Sequence, residues 1–223
     1  MSCHNPKGYC DQRGCEVWGC PFDQSEETSK MRTEEFWSGD FGAAYIERNN
    51  VDYRTRMDFF RDVLNMTHAG NVLEVGCNKG HNLQALAAVN PDIELAGCDV
   101  NETAVGLGRI ALPEAFIEHF SATELNQFGL KFDLVFTAGV LIHVAPADLK
   151  AVMQSIIDAS EKYVLAVEYD WPVECEVEYR GHAGTLWKRP FGKMYESMGL
   201  KLVKEWPAGD GFDNCQAWLM VRP

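Results

Sequence analysis

Val72-Leu73-Glu74-Val75-Gly76-Cys77-Asn78-Lys79-Gly80 runs an apolar stretch straight into a turn bracketed by two glycines. A short apolar run before glycine reads as a buried strand, and the glycines let the chain swing into a helix with bare backbone N–H groups at the strand's C-terminal end. In open α/β sheets that end is where ligands bind. Outward from this stretch, short apolar runs alternate with helical ones, the signature of parallel strands joined by crossover helices. The spacing predicts strands near 71–75, 93–98, 114–120, 132–137 and 162–168, with helices near 80–89, 102–110 and 147–158. Leu149, Val152, Met153, Ile156 and Ile157 mark one face of the last helix. A loop-rich stretch from Asp170 to Pro190 precedes a short helix ending at Met198-Gly199. The runs 200–206 and 215–221 are separated only by Pro207 to Asn214, too short for another crossover, so they read as an antiparallel hairpin. Five parallel strands and a closing hairpin make a seven-stranded α/β sheet.

The rest of the chain fits one globular domain with a short accessory segment. Of 223 residues, 46% are hydrophobic and 24% charged, which excludes disulfide miniproteins, collagens and disordered tails. The formal net charge of −13 disfavours nucleic acid and anionic membranes as partners, so an anionic ligand must meet a local positive patch. No apolar run approaches the ~20 residues needed to span a bilayer, and Met1-Ser2-Cys3-His4-Asn5-Pro6 lacks the pattern of an export signal, so a cytoplasmic protein is expected. Residues 1–30 mix Cys, Gly, Pro and charge without periodicity and read as a cysteine-rich extension. From Thr33, a plausible N-cap, Phe36, Trp37, Phe41, Ala44, Tyr45 and Arg48 recur at helical steps. After Asn49-Asn50, Met57, Phe60, Val63 and Leu64 do so again, giving two amphipathic helices within 31–66 ahead of a main domain at 67–223.

The glycine turn is not that of a dinucleotide site. G-x-G-x-x-G would place glycines where this chain has Asn78 and His81, so close approach of a pyrophosphate is poorly provided. No G-x-x-x-x-G-K-[ST] phosphate loop is present either. Asp99 ends the second strand, 19 positions after Gly80, suited to accept hydrogen bonds from both ribose hydroxyls. Glu74 would set a carboxylate beside a cationic group. A nucleoside without phosphate but with positive charge meets these demands, and S-adenosylmethionine is such a molecule.

The same residues resemble a known family. Glu74-x-Gly76-x-Asn78-x-Gly80, Gly97-Cys98-Asp99 and Phe132-Asp133-Leu134-Val135 are similar to motifs of the class I S-adenosylmethionine-dependent methyltransferases, over about residues 68–222. That resemblance implies an α/β, Rossmann-like, mostly parallel seven-stranded sheet with a C-terminal antiparallel hairpin. From about 34 to 190 a closer similarity is to the methylases associated with pseudaminic acid biosynthesis. It is carried by Glu35-Phe36-Trp37-Ser38-Gly39-Asp40-Phe41-Gly42, Tyr45-Ile46-Glu47-Arg48-Asn49, Gly139-Val140-Leu141-Ile142-His143, Glu168-Tyr169 and Tyr179-Arg180-Gly181-His182. This implies methyl transfer and suggests a sugar or sugar-nucleotide setting, although the first thirty residues depart from the family pattern. The resemblance further implies cofactor contacts from Glu74, Gly76, Asn78 and Gly80, ribose contacts from Asp99, and adenine-edge contacts from Ser121 and Ala122. It implies a cofactor lining from Thr137, Ala138 and Gly139, and a lid helix from Trp37 to Asn49 whose Trp37 and Tyr45 face the methionine end.

Methyl transfer is an in-line displacement on a carbon already activated by sulfonium, so alignment and exclusion of water are the main demands. An oxygen or a protonated nitrogen acceptor can also need a base, for which His143, Glu168 and His182 are candidates. Tyr169, Tyr179, Arg180 and His182 are candidates for substrate contact, because loops carry specificity on such scaffolds. Arg180, His182, Lys188, Arg189 and Lys193 form an acid-free stretch that could receive a small anionic metabolite, the alternative being pairing with the neighbouring glutamates. The fourth strand runs into Phe136-Thr137-Ala138-Gly139, without the Asn/Asp-Pro-Pro-Tyr sequence of many base methylases, which lowers a nucleic acid substrate further. Cys3, Cys10, Cys15 and Cys20 could close a structural zinc site, yet their separations of seven, five and five include no Cys-x-x-Cys. The leading expectation is an O-methyltransferase, with N-methylation second, acting on a small anionic metabolite such as a sugar derivative. A protein or nucleic acid acceptor recognised through the cysteine-rich segment, and a non-catalytic zinc-stabilised binding module, are the alternatives.

Overall fold

The computed structural model describes residues 33–209 and 211–223. Residues 33–38 are helical (α1), the chain bends at Gly39, and Asp40–Arg48 continues as α2. A 3-10 turn, Tyr53–Arg56, leads into Met57–Thr67 (α3). The helix expected over Trp37 to Asn49 is therefore broken near its start. A Cβ on Gly39 would lie 2.9 Å from the Glu35 carbonyl oxygen, so the break falls where no side chain interferes. Thr33, expected as a cap, is already helical.

The main sheet alternates with its crossovers as sequence patterning requires. In order come Asn71–Val75 (β1), His81–Val89 (α4), Glu94–Asp99 (β2), Glu102–Ala111 (α5), Phe116–His119 (β3), Phe132–Ala138 (β4), Pro146–Ala159 (α6) and Ser160–Glu168 (β5). Cys175–Glu176 (β6), Trp187–Lys188 (β7), Phe191–Ser197 (α7), Lys201–Pro207 (β8) and Gln216–Val221 (β9) follow. Seven strands lie in the order β3-β2-β1-β4-β5-β9-β8, the first five parallel and β9 antiparallel to both its neighbours. The chain winds outward from β1 to β3 and then returns to the other side of β1 as β4. That reversal opens a crevice beyond the C-terminal ends of β1 and β4.

Apolar residues cover both faces of the sheet, which is why the central strands read as continuous apolar runs. Leu73, Val75, Val135 and Val164 pack with Met153 and Ile156 of α6 on one face. Val72, Leu134 and Phe136 pack with Phe60, Val63, Leu83 and Leu86 of α3 and α4 on the other. The loop expected from 170 to 190 departs from expectation. It holds a separate two-stranded ladder, β6 with β7, too short to leave a period in the sequence. An ion pair between Arg189 and Glu174 at 2.6 Å ties this ladder down. Among the described residues, no helix is long and apolar enough to cross a membrane.

Candidate cofactor and acceptor site

A cavity of about 380 Å³ opens at the β1/β4 crevice. Its floor is the glycine turn. Gly76 and Gly80 both have φ of 74°, and Asn78, at 48°, takes the left-handed conformation in place of a further glycine. The Asn78 N–H donates to Asp99 Oδ2 at 2.8 Å, and the Asn101 N–H donates to Oδ1 at 2.9 Å. These bonds fix the Asp99 carboxylate at the cavity wall while each oxygen keeps a lone pair free. Burial raises the Asp99 pKa, opposed by those backbone donors. A Cβ on Gly76 would strike Val140 at 2.5 Å, so the turn approaches the β4 side as closely as glycine permits.

At one end of the cavity lies Glu74, 2% exposed. Asn82 Nδ2 donates to its Oε1 at 2.6 Å, and Arg56 Nη1 donates to Asn82 Oδ1 at 2.7 Å. Glu74 Oε2 is buried without a partner. Burial therefore pushes the carboxyl up to about 8, against the pull of Asn82 and Arg56. Arg56 also donates through Nε to the Gly211 carbonyl at 2.9 Å, and Gly211 and Asp213 join the lining.

The N-terminal helices roof this space. Thr33, Glu34, Trp37, Gly42, Tyr45 and Ile46 line it from α1 and α2. Two polar ties hold the roof: Asn101 Nδ2 donates to the Trp37 carbonyl at 3.0 Å, and Lys79 Nζ donates to the Ile46 carbonyl at 2.8 Å. Phe36, Trp37, Phe41, Tyr45, Tyr179 and His182 form a ring-on-ring cluster with His143, including Trp37 to His143 at 4.4 Å between centroids. Arg48 stacks over Phe41 at 4.8 Å and Arg180 over Tyr179 at 5.7 Å.

Of the expected cofactor residues, Trp37, Tyr45, Glu74, Gly76, Asn78, Asp99, Ala122, Ala138 and Gly139 line the cavity. Gly80, Ser121 and Thr137 do not: Gly80 caps α4, the Thr137 side chain is fully buried beside Glu168, and the Ser121 hydroxyl donates to Glu34 Oε1 at 2.5 Å. Among the candidate bases only His143 reaches the cavity. Its Nδ1 lies 2.6 Å from the Thr185 carbonyl oxygen, which can only accept, so Nδ1 carries the proton and Nε2 the lone pair. Burial holds its pKa down to about 4. Glu168 is fully buried and engaged elsewhere. Its Oε1 accepts from the Val140 and Leu141 N–H groups, each at 3.1 Å, and Oε2 from Ile142 at 3.4 Å, so it caps the 3-10 turn that carries His143. Burial raises it to about 7. Tyr169 donates to Asp213 at 3.5 Å, outside the cavity lining.

The cationic stretch expected at 179–195 is not one patch. Arg189 is fully buried, bonded to Glu174 and donating through Nη1 to the Leu141 carbonyl at 3.0 Å, while Lys188 stacks against Tyr169 and Trp171. Cys3, Cys10, Cys15 and Cys20 lie outside the described residues. Among the described residues no group of three His, Cys, Asp or Glu side chains could hold a metal ion.

A family model described as a methyltransferase domain matches residues 73–160, the span from β1 through the α6 crossover. Solved structures show where this fold recurs. Magnesium protoporphyrin IX methyltransferase from Synechocystis PCC 6803, with bound S-adenosylmethionine, is 15% identical at a TM-score of 0.66, covering 87% of this chain and 97% of its own. The sugar N-methyltransferase KedS8 from a Streptoalloteichus species is 14% identical at 0.63, covering 96% and 99%. The 1,6-didemethyltoxoflavin N1-methyltransferase of Burkholderia thailandensis, with S-adenosylhomocysteine, is 12% identical at 0.66, covering 92% and 93%. Among proteins of curated function, none matches in sequence. The matched model is that of a methyltransferase domain, and the fold is the one found in solved S-adenosylmethionine-dependent methyltransferases.

The residues present fit that cofactor. Glu74 Oε2 is a buried carboxyl oxygen with no partner, a place that a cation such as the methionyl ammonium would satisfy while holding the carboxylate form. Arg56, Asn82 and Asp213 of the lining, like Glu34, are not among the residues that the sequence motifs single out. Asn82 stands just beyond the glycine turn and was within reach of the motif. Arg56 and Asp213 come from distant segments with no spacing relation to it.

Proposed function

We propose that the protein transfers a methyl group from S-adenosylmethionine to a hydroxyl oxygen of a small anionic metabolite, a sugar derivative being the class its family resemblance suggests. The observation that carries this reading is that one cavity joins the Glu74–Asp99 wall to His143. Glu74 and Arg56 would hold the ammonium and carboxylate of the methionine part, Asp99 the ribose hydroxyls, and Gly76 and Asn78 the close backbone approach. The sulfonium supplies an electrophilic methyl; the protein aligns the acceptor and excludes water. His143 Nε2 would take the hydroxyl proton, its ring held by the Thr185 carbonyl and its turn by Glu168, which makes Glu168 a positioning residue. Arg48 and Arg180, at the outer face of the aromatic cluster, offer cationic contacts to an anionic acceptor.

Radiolabelled methyl transfer to a panel of hydroxylated and aminated sugar acids and sugar nucleotides tests the substrate. His143→Asn should lower kcat by about 10²–10⁴-fold while leaving S-adenosylhomocysteine affinity intact. Because the imidazole stays neutral well below the usual histidine range, the kcat profile should show no acid limb between pH 6 and 8. Asp99→Ala should weaken S-adenosylhomocysteine by about 10–100-fold in calorimetric titration. Unchanged affinity in that variant would remove the cofactor reading, and an unaffected kcat in the His143 variant would remove the base.

A further inference from the structure

On the β3 side of Asp99, away from Glu74 on β1, Val100, Phe120 and Ala122 line an apolar slot of the cavity. If Asp99 takes the ribose and Glu74 the methionine, the base of the cofactor occupies this slot, so the inference rests on the cofactor reading above. An adenine presents there an exocyclic amine, a donor that needs an acceptor when desolvated. The residues after β3 supply little for it. Ala122 has no polar side chain, the Ser121 hydroxyl is bonded to Glu34, and the Thr123 hydroxyl, whose residue joins the lining, is bonded to Ser121 Oγ at 2.8 Å.

What does reach the slot is Glu34, from the roof helix α1 rather than from the sheet. Its Oε1 is fixed by the Ser121 hydroxyl, which is itself fixed by Thr123, whose backbone N–H also donates to Ser121 Oγ at 3.2 Å. A carboxylate with one oxygen anchored on the loop after β3 and its side chain at the cavity wall is an acceptor already oriented. We infer that Glu34 accepts the exocyclic amine of the cofactor's adenine and so is the residue that selects the base, delivered by the roof instead of the sheet. The base would then close the roof at its own end, with Glu34 bonded on one side to Ser121 and on the other to the ligand. Asp148, from the first turn of α6, also lines the cavity and is the competing acceptor.

Titration of S-adenosylhomocysteine and of S-inosylhomocysteine, which carries a carbonyl oxygen where adenine has its amine, separates the possibilities. Wild type should prefer the adenosyl ligand by about 10–100-fold, the worth of one charge-assisted hydrogen bond set against an oxygen facing a carboxylate. Glu34→Ala should bring the two affinities within about threefold of one another, chiefly by weakening the adenosyl ligand, whereas Asp148→Asn should keep the preference. Thermal melting confirms that both variants fold. A Glu34→Ala protein that retains the full preference, or an Asp148→Asn protein that loses it, overturns the assignment. Wild type that binds neither ligand would instead overturn the cofactor reading itself.

Discussion

Glu74 is the residue at which folding and binding pull in opposite directions. Its carboxyl keeps a proton in the fold up to about pH 8, against about 4.5 in a free chain. The group therefore contributes stability below about pH 4.5, and that contribution is lost as pH rises towards 8. Glu74→Gln should remove the loss: the cofactor-free variant should melt a few degrees above wild type near pH 8, with the gap closing towards pH 5, while S-adenosylhomocysteine affinity falls by about 10–100-fold. A variant that melts lower at pH 8 would mean that the unpartnered oxygen is not a burden on the fold. His143 has the opposite sign, since its pKa is depressed. Its contribution is present above about pH 6.5 and disappears as pH falls towards 4. Glu74, Asn78 and Asp99 were legible in the sequence because they sit within or one strand away from a contiguous turn motif. Arg56 was not, because its place at the cavity depends on a hydrogen bond to the Gly211 carbonyl, 155 positions away.

Among the elements, the roof helices make the sharpest test, because α2 packs where a single methyl group cannot fit. A Cβ on Gly42 would lie 1.7 Å from the Trp37 carbonyl oxygen and 2.9 Å from Asn101 Nδ2, the donor that ties the two together. Gly42→Ala should therefore lift α1 and α2 from the cavity, at a cost of about 1–3 kcal/mol confined to the roof. Limited proteolysis should cut between residues 33 and 52 faster than in wild type, and cofactor affinity should fall, while the melting of the sheet changes little. A wild-type cleavage pattern would show that the contact relaxes without opening. The period of Phe36, Trp37, Phe41 and Tyr45 disclosed a helical segment here, but not its break at Gly39, since a bend of one residue hardly disturbs the spacing of the residues around it. The β6–β7 ladder was illegible for a related reason: two-residue strands leave no alternation to read, and the buried Leu186 and Trp187 and the Glu174–Arg189 ion pair that anchor it belong to no period.

Across the whole molecule, the parallel strands, crossovers and closing hairpin followed from the alternation of apolar runs and from the short 207–214 connection. The place of β9 between β5 and β8 did not, because strand order depends on which edges meet in space. A ligand that bridges the roof, the glycine turn and the hairpin loop should bind the native state alone. At a hundred times its dissociation constant, S-adenosylhomocysteine should then raise the melting temperature by about 5–11 °C, read by calorimetry, whereas NAD at the same concentration should not. Equal shifts from both would contradict a site built for a nucleoside without diphosphate. The bond between the Arg56 guanidinium and the Gly211 carbonyl reaches further than the local geometry suggests. Through it the tail end of the polypeptide becomes a remote tuning dial: lengthening or stiffening the 208–214 connection should reset how tightly the methyl donor is held without touching any residue of the turn beneath it.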